Sequence, residues 1–160
     1  MKRSSAVLES LLKLIDESYS RKAWHGPNLR GSLRGVSARD AARRPARGRH
    51  NIWEITVHCA YWKYVVRRRI LNERRGSFPL AGSNWFHRPE RLTEEAWKDD
   101  LRLLERCHKE MIEAVRSLAP SALSRTPRGS KVSTEAILRG IASHDVYHAG
   151  QIQLLKRLTR

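Results

Sequence analysis

Cysteines and long apolar runs are both scarce in this 160-residue chain. The only two cysteines, Cys59 and Cys107, form no CxxC pair, so neither a disulfide framework nor a zinc ribbon is indicated. No uninterrupted apolar run approaches the ~18 residues that span a bilayer. Glu9 and Lys13 interrupt the start of the chain, where a signal peptide would need an apolar core. We therefore expect a cytoplasmic protein with no membrane segment.

Acidic residues are also few, with 16 aspartates and glutamates against 32 lysines and arginines, for a formal net charge of +16. Such a charge suits nucleic acid or another polyanion. However, no aromatic residues interleave with the arginine clusters in the manner of a nucleic-acid-binding motif. A solvated basic surface is the simpler interpretation, and nucleic acid is an unlikely partner. The clusters are Arg43–Arg44, Arg47, Arg49, Arg67–Arg69 and Arg74–Arg75.

Four segments have helical periodicity, and almost nothing alternates as a strand would. They run from about 5 to 22, from about 52 to 74, from after Thr93 to Pro120, and from about 133 almost to the C-terminus. Apolar stripes on helices of this length predict an all-α fold, a four-helix bundle formed by residues 1–160 as a single domain. Residues 23–50 and 75–92 are longer than hairpin connections need, so we expect at least one end-to-end crossover.

Two histidines occupy core positions of the fourth helix. The inward stripe that contains Ile141 and Ile152 has His144 and His148 at two adjacent turns. A spacing of four places both imidazoles on one face, where burial is unfavourable unless each is hydrogen-bonded or shares a cation. Neutral imidazole is a good ligand for zinc, nickel, copper or iron, so the pair indicates a metal site. A pair at this spacing can also arise by chance among seven histidines.

His58 is the best third ligand, because it lies on the inner side of the second helix between Ile55 and Trp62. Three histidines with an open fourth position are typical of a catalytic site. Such an ion would lower the pKa of a bound water or thiol. The motif around His144 also resembles that of zincins, but no His, Asp or Glu follows His148, which argues against a protease of that type.

Three stretches of the chain resemble the DinB/YfiT-like metalloenzymes. They are 23–27 (AWHGP), 51–58 (NIWEITVH) continuing into 60–62 (AYW), and 144–152 (HDVYHAGQI). The resemblance implies a bundle with an up-down-down-up course and a metal site on His58, His144 and His148. Family members of known chemistry include metal-dependent hydrolases and transferases or isomerases that use bacillithiol or mycothiol. Dimers are common among look-alikes, so a homodimer is expected by analogy.

Residues near the three histidines have two interpretations each. Asp145 could orient a ligand imidazole or accept a proton, or it could be a solvated helix residue. His25 could act on the substrate side or beside the ligands, or be an ordinary loop histidine. Gln151 shares a face with His148 and is expected to line the pocket. His108 occupies an inward position of the third helix and is expected to be buried and hydrogen-bonded.

These observations favour a metal-dependent enzyme that acts on a small molecule, either a thiol-dependent S-transferase or a hydrolase. The expected cofactor is one divalent ion, zinc or nickel in the first place, with iron or manganese also compatible. A low-molecular-weight thiol is a candidate co-substrate, and Asp145 or His25 would handle protons. The alternatives are a basic bundle that binds nucleic acid or another polyanion without catalysis, and a metal-stabilised fold with no turnover.

Overall fold

The computed structural model describes residues 2–158, with side chains from Ala6 onward. Within that range the chain is helical and contains no strand, which confirms the predicted all-α class. None of the described helices has the length and apolarity that a membrane span requires. The helices are α1 (Lys2–Tyr19), α2 (Leu29–Ser32), α3 (Ala38–Ala42), α4 (Ile52–Ile70), α5 (Glu94–Arg116) and α6 (Thr134–Leu158), with a 3-10 turn at Pro120–Ala122.

Side-chain caps determine where the long helices begin. Asn51 accepts a hydrogen bond from the backbone of Glu54, whose side chain accepts one in return from the backbone of Asn51, as the sequence predicts. Thr93 caps α5 in the same way through the backbone N–H of Ala96. The predicted end of α4 was wrong by four residues, because Asn72 takes a left-handed conformation with φ of 56° and stops the helix after Ile70.

The four long helices form a bundle with an up-down-down-up course. One core cluster joins Ile15 of α1 to the last turns of α4 and α5 and the first turns of α6. A second cluster joins Tyr19 to the first turns of α4 and α5 and the last turns of α6. Helices α4 and α5 are therefore parallel, and residues 71–93 must travel the length of the bundle between them. This is the expected crossover.

The connection from α1 to α4 contains two short helices that periodicity did not predict. Asn28 and Ser37 cap α2 and α3, which have only four and five residues. The connection is tied to the bundle by long-range hydrogen bonds: Lys156 Nζ donates to the backbone oxygen of Ser32 at 3.0 Å, and Trp97 Nε1 donates to that of Val36 at 2.8 Å. It therefore closes one end of the bundle.

His108 lies inside the bundle, as expected, but its Nδ1 has no hydrogen-bond partner. The imidazole instead stacks on the ring of Tyr19, with centroids 3.6 Å apart. The expectation of a hydrogen-bonded ring was wrong for this nitrogen. Burial lowers the pKa of His108 to about 2, with smaller contributions from Lys63 and Arg30. The ring is therefore neutral in the folded protein near neutral pH.

Acid should destabilise the protein through His108. Below pH ~6.5 the His108 ring binds a proton in the unfolded chain but not in the folded chain, so the free energy of unfolding falls as pH falls. Between pH 6.5 and 5 this effect amounts to about 2 kcal/mol. Between these two pH values, the free energy of unfolding of the metal-free His108→Leu variant should fall by about 2 kcal/mol less than that of the wild type. Urea unfolding at both pH values measures the difference. Equal losses in the two proteins would contradict the assignment.

Candidate metal centre

Three histidine side chains from two helices converge at one point. His144 Nε2 lies 3.1 Å from His58 Nε2 and 3.2 Å from His148 Nε2. His58 and His148 are buried, and His144 is half-buried. The three residues predicted as ligands are thus brought together, and all three offer nitrogens that lie within 4.8 Å of one another.

The hydrogen bonds of the other ring nitrogens show which atoms face the shared point as lone pairs. His58 Nδ1 donates to the backbone oxygen of Asn84 at 2.8 Å, and His148 Nδ1 donates to Gln151 Oε1 at 2.7 Å. Because these acceptors carry no proton, both Nε2 atoms are unprotonated in the neutral rings. His144 Nε2 can donate to only one of them. At least one contact therefore opposes two lone pairs, which is unfavourable without a cation.

The spacing of the three nitrogens suits a transition-metal ion. Imidazole nitrogens bind zinc at about 2.0–2.1 Å, which places the nitrogens of neighbouring ligands about 3.3 Å apart in a tetrahedral site and about 3.0 Å apart in an octahedral one. The two contacts of His144, at 3.1 and 3.2 Å, lie between these values. The residues present therefore fit a divalent metal ion and could hold one.

Burial also keeps the three rings neutral, which is the state that binds metal. It lowers the pKa of His144 to about 3, with further contributions from His148, His58 and Lys63. It lowers the pKa of His148 to about 4 and that of His58 below its usual range. No carboxylate ligand belongs to the group, so the protein would leave the charge of a bound ion uncompensated.

The crossover supplies neighbours that the sequence did not reveal. Asn84 fixes the orientation of His58 through its backbone oxygen, and its side chain accepts a hydrogen bond from Trp62 Nε1 at 2.9 Å. Trp85 stacks on His58 with centroids 3.8 Å apart, and on His50 with centroids 3.6 Å apart. Asn84 and Trp85 lie about 26 positions from His58, in an irregular segment. Neither a period nor a motif in that segment signals that it lies near His58.

Asp145 is fully buried behind the histidines, so the solvated alternative for this residue was wrong. Its Oδ2 accepts from Lys63 Nζ at 2.5 Å, and neither side chain has any exposed surface. Burial raises the pKa of Asp145, and the Lys63 ammonium opposes that rise. The same ammonium lies 4.9 Å from the centroid of the Tyr19 ring, so this ion pair joins α4 and α6 beside α1.

A second potential ligand group, Cys59, His144 and Asp145, is a poor metal site. Lys63 already provides the positive charge beside Asp145. Burial raises the pKa of the Cys59 thiol well above its ordinary value, so the thiol stays protonated. Cys59 is therefore not counted among the ligands.

The two remaining predicted neighbours, Gln151 and His25, differ in their contacts with the site. Gln151 bridges His148 and the hydroxyl of Tyr147, to which its Nε2 donates at 3.0 Å. His25 is exposed and lines a separate pocket between α1 and α6, beside Tyr147. Within the described part of the chain, His25 neither stacks on nor hydrogen-bonds to the three histidines. Its role stays a prediction.

The family comparison agrees with this geometry. A family model described as the DinB superfamily matches residues 23–152, which is most of the chain. The chain belongs to the DinB superfamily. No curated protein and no solved structure matched this DinB chain in the other two comparisons. All three stretches that carried the resemblance lie inside the matched range, so family and helical fold are both confirmed.

Removing one partner of the buried ion pair should destabilise this DinB protein. Lys63→Met leaves a buried carboxylate without its cation, and the expected cost is about 3–5 kcal/mol in the free energy of unfolding. The double variant Lys63→Met/Asp145→Leu should recover most of that loss, since no unpaired charge remains. Urea unfolding of the metal-free proteins measures both values.

Lys109→Met, at an exposed lysine, serves as the control for removing a positive charge. A loss in Lys63→Met no larger than in this control would show that the pair contributes nothing to stability. A double variant as unstable as Lys63→Met would point to lost packing instead.

Proposed function

We propose that this DinB superfamily protein is a metal-dependent enzyme that binds one divalent ion on His58, His144 and His148. The observation that carries the proposal is the convergence of three neutral imidazoles, two of them with Nδ1 bonded to a carbonyl oxygen and Nε2 left as a lone pair. The donor set favours zinc or nickel, and iron or manganese is also compatible with it.

When bound, the ion would supply Lewis-acid chemistry and lower the pKa of a water or thiol at an open coordination position. The protein's own contribution is to hold the rings. Asn84 and Gln151 fix two imidazoles by hydrogen bonds, and Trp85 packs flat against His58. Such partners orient ligands and maintain their tautomers.

Asp145 acts as a positioning residue in this proposal. Its carboxylate is enclosed and bonded to Lys63, so it reaches no substrate directly. The ion pair instead holds the turn of α6 that carries His144 against α4. His25 remains the candidate for proton transfer from the substrate side, since the pocket it lines includes Tyr147, whose ring lies 5.0 Å from that of His148.

Thiol-dependent S-transfer and hydrolysis of a small molecule both suit such a site. The two cysteines of the chain are poor nucleophiles, because burial raises the pKa of Cys59 and raises that of Cys107 to about 11. A thiol reaction would therefore use an external low-molecular-weight thiol as co-substrate.

The polyanion-binding alternative receives less support from the arrangement of the arginines. Arg44 pairs with Glu54, and Arg67 pairs with Glu73 and Glu110, so part of the basic clusters is neutralised within the fold. Nucleic acid stays an unlikely partner. The homodimer and the cytoplasmic location stay predictions.

Metal analysis tests the proposed ligands. Protein purified without a histidine tag should contain about one equivalent of zinc or nickel, because three neutral imidazoles meet at one point. His58→Ala, His144→Ala and His148→Ala should each lose most of it, while His87→Ala, at an exposed histidine, should retain it. Full metal content in all three ligand variants would refute the site.

A spectroscopic test separates an enzyme from a metal-stabilised fold. The cobalt(II)-substituted protein should change its visible absorption when a small thiol is added, because an open coordination position admits an external ligand. The corresponding alcohol, which has a hydroxyl in place of the thiol, is the matched control ligand. If the spectrum does not change when the thiol is added, and the melting temperature falls when a chelator removes the ion, the ion is purely structural.

A further inference from the structure

A cleft of about 600 Å³ lies between the second half of α4 and the part of the crossover that ends at Asn84. Three arginines line it, Arg68, Arg69 and Arg75, and its lining includes no acidic residue. The volume is in the range of small-molecule sites. The concentration of one charge sign in a concave surface attracts ligands of the opposite sign.

All three arginines lack a carboxylate partner among the described residues, and Arg68 donates to the backbone oxygen of Glu73 at 3.4 Å. Along the described chain, no acidic side chain lies within ion-pair distance of Arg69 or Arg75. Arg69 Nε is buried and has no hydrogen-bond partner, which is costly unless an acceptor arrives. Three other arginines are paired with carboxylates, Arg44 with Glu54, Arg67 with Glu73, and Arg88 with Asp100, although the buried Nε of Arg67 also has no hydrogen-bond partner.

Aromatic residues line the same cleft. The rings of Tyr61, Tyr64 and Phe78 contact one another with centroids 5.3 to 6.0 Å apart. All three line the cleft, as does Trp62. Such rings suit a flat apolar body, and guanidinium groups suit carboxylate, phosphate or sulfonate oxygens.

The cleft borders the three histidines through two shared residues. Asn84 and Trp62 both line it, and they are hydrogen-bonded to each other. Asn84 also accepts the hydrogen bond from His58 Nδ1, and the Trp62 ring lies 6.3 Å from those of His58 and His144. A ligand in the cleft would therefore lie next to the proposed metal site.

We infer that this cleft binds a small organic anion with a flat apolar body, whose anionic group is held by Arg69 and Arg75. Its use as a substrate or co-substrate site rests on the proposed function. The binding itself does not, because none of the residues that carry it is a metal ligand.

The test is binding of 2-naphthoate, with neutral 2-naphthamide as the matched ligand, measured by titration calorimetry on metal-free and metal-loaded protein. Naphthoate should bind at least about tenfold more tightly than naphthamide, since charge-assisted hydrogen bonds to guanidinium contribute on that scale. Arg69→Gln and Arg75→Gln should each weaken naphthoate by about tenfold or more. Neither variant should change binding of naphthamide.

Arg74→Gln is the control variant, because Arg74 is the exposed neighbour of Arg75 and does not line the cleft. Equal affinity for the two ligands, or an equal loss in Arg74→Gln and Arg75→Gln, would overturn the inference in favour of a general charge effect. No binding of naphthoate at all would also overturn it. Arg75→Gln keeps the test valid if Arg69→Gln fails to fold.

His144→Ala separates this inference from the proposed function. If the variant loses metal but still binds naphthoate with Arg75-dependent affinity, the anion site stands without the metal proposal. If metal binds with the predicted stoichiometry and naphthoate binding does not depend on Arg69 or Arg75, the anion site fails alone.

Discussion

Three imidazole nitrogens directed at one point impose the main constraint on this structure. At least one of the contacts at 3.1 and 3.2 Å places two lone pairs against each other, and burial disfavours the protonation that would otherwise relieve it. The surrounding fold therefore has to hold the rings in place by packing and hydrogen bonding. It does so with Asn84 and Gln151 at the far side of two rings, and with the buried Lys63–Asp145 pair close by.

The topology of the bundle and the construction of the site depend on the same segment. Because α4 and α5 are parallel, residues 71–93 must run the length of the bundle rather than turn sharply. That path brings Asn84 and Trp85 against His58 and forms one wall of the arginine-lined cleft. A short hairpin between antiparallel helices would provide neither.

The large positive charge is distributed unevenly over the fold. Several arginines are used within the structure, where Glu54, Glu73 and Asp100 neutralise them and tie loops to helices. Arg69 and Arg75 are not used in this way. The total charge of the chain therefore says less about its partners than the arginines that line a cleft free of acidic residues.

Local signals in the sequence predicted the four long helices and two of the three ligands of the site. The cap at Asn51, the period of four between His144 and His148 and the apolar stripes are all properties of neighbours along one helix, so they can be read without tertiary structure. His58 was predicted as the third ligand from its place in the apolar stripe of α4, and the family resemblance added the course in which α4 and α6 face each other. Only the tertiary structure decided the roles of Asn84, Trp85 and Lys63, and the lack of carboxylates near Arg69 and Arg75. These depend on contacts between segments distant in sequence, for which an irregular connection carries no periodic signal.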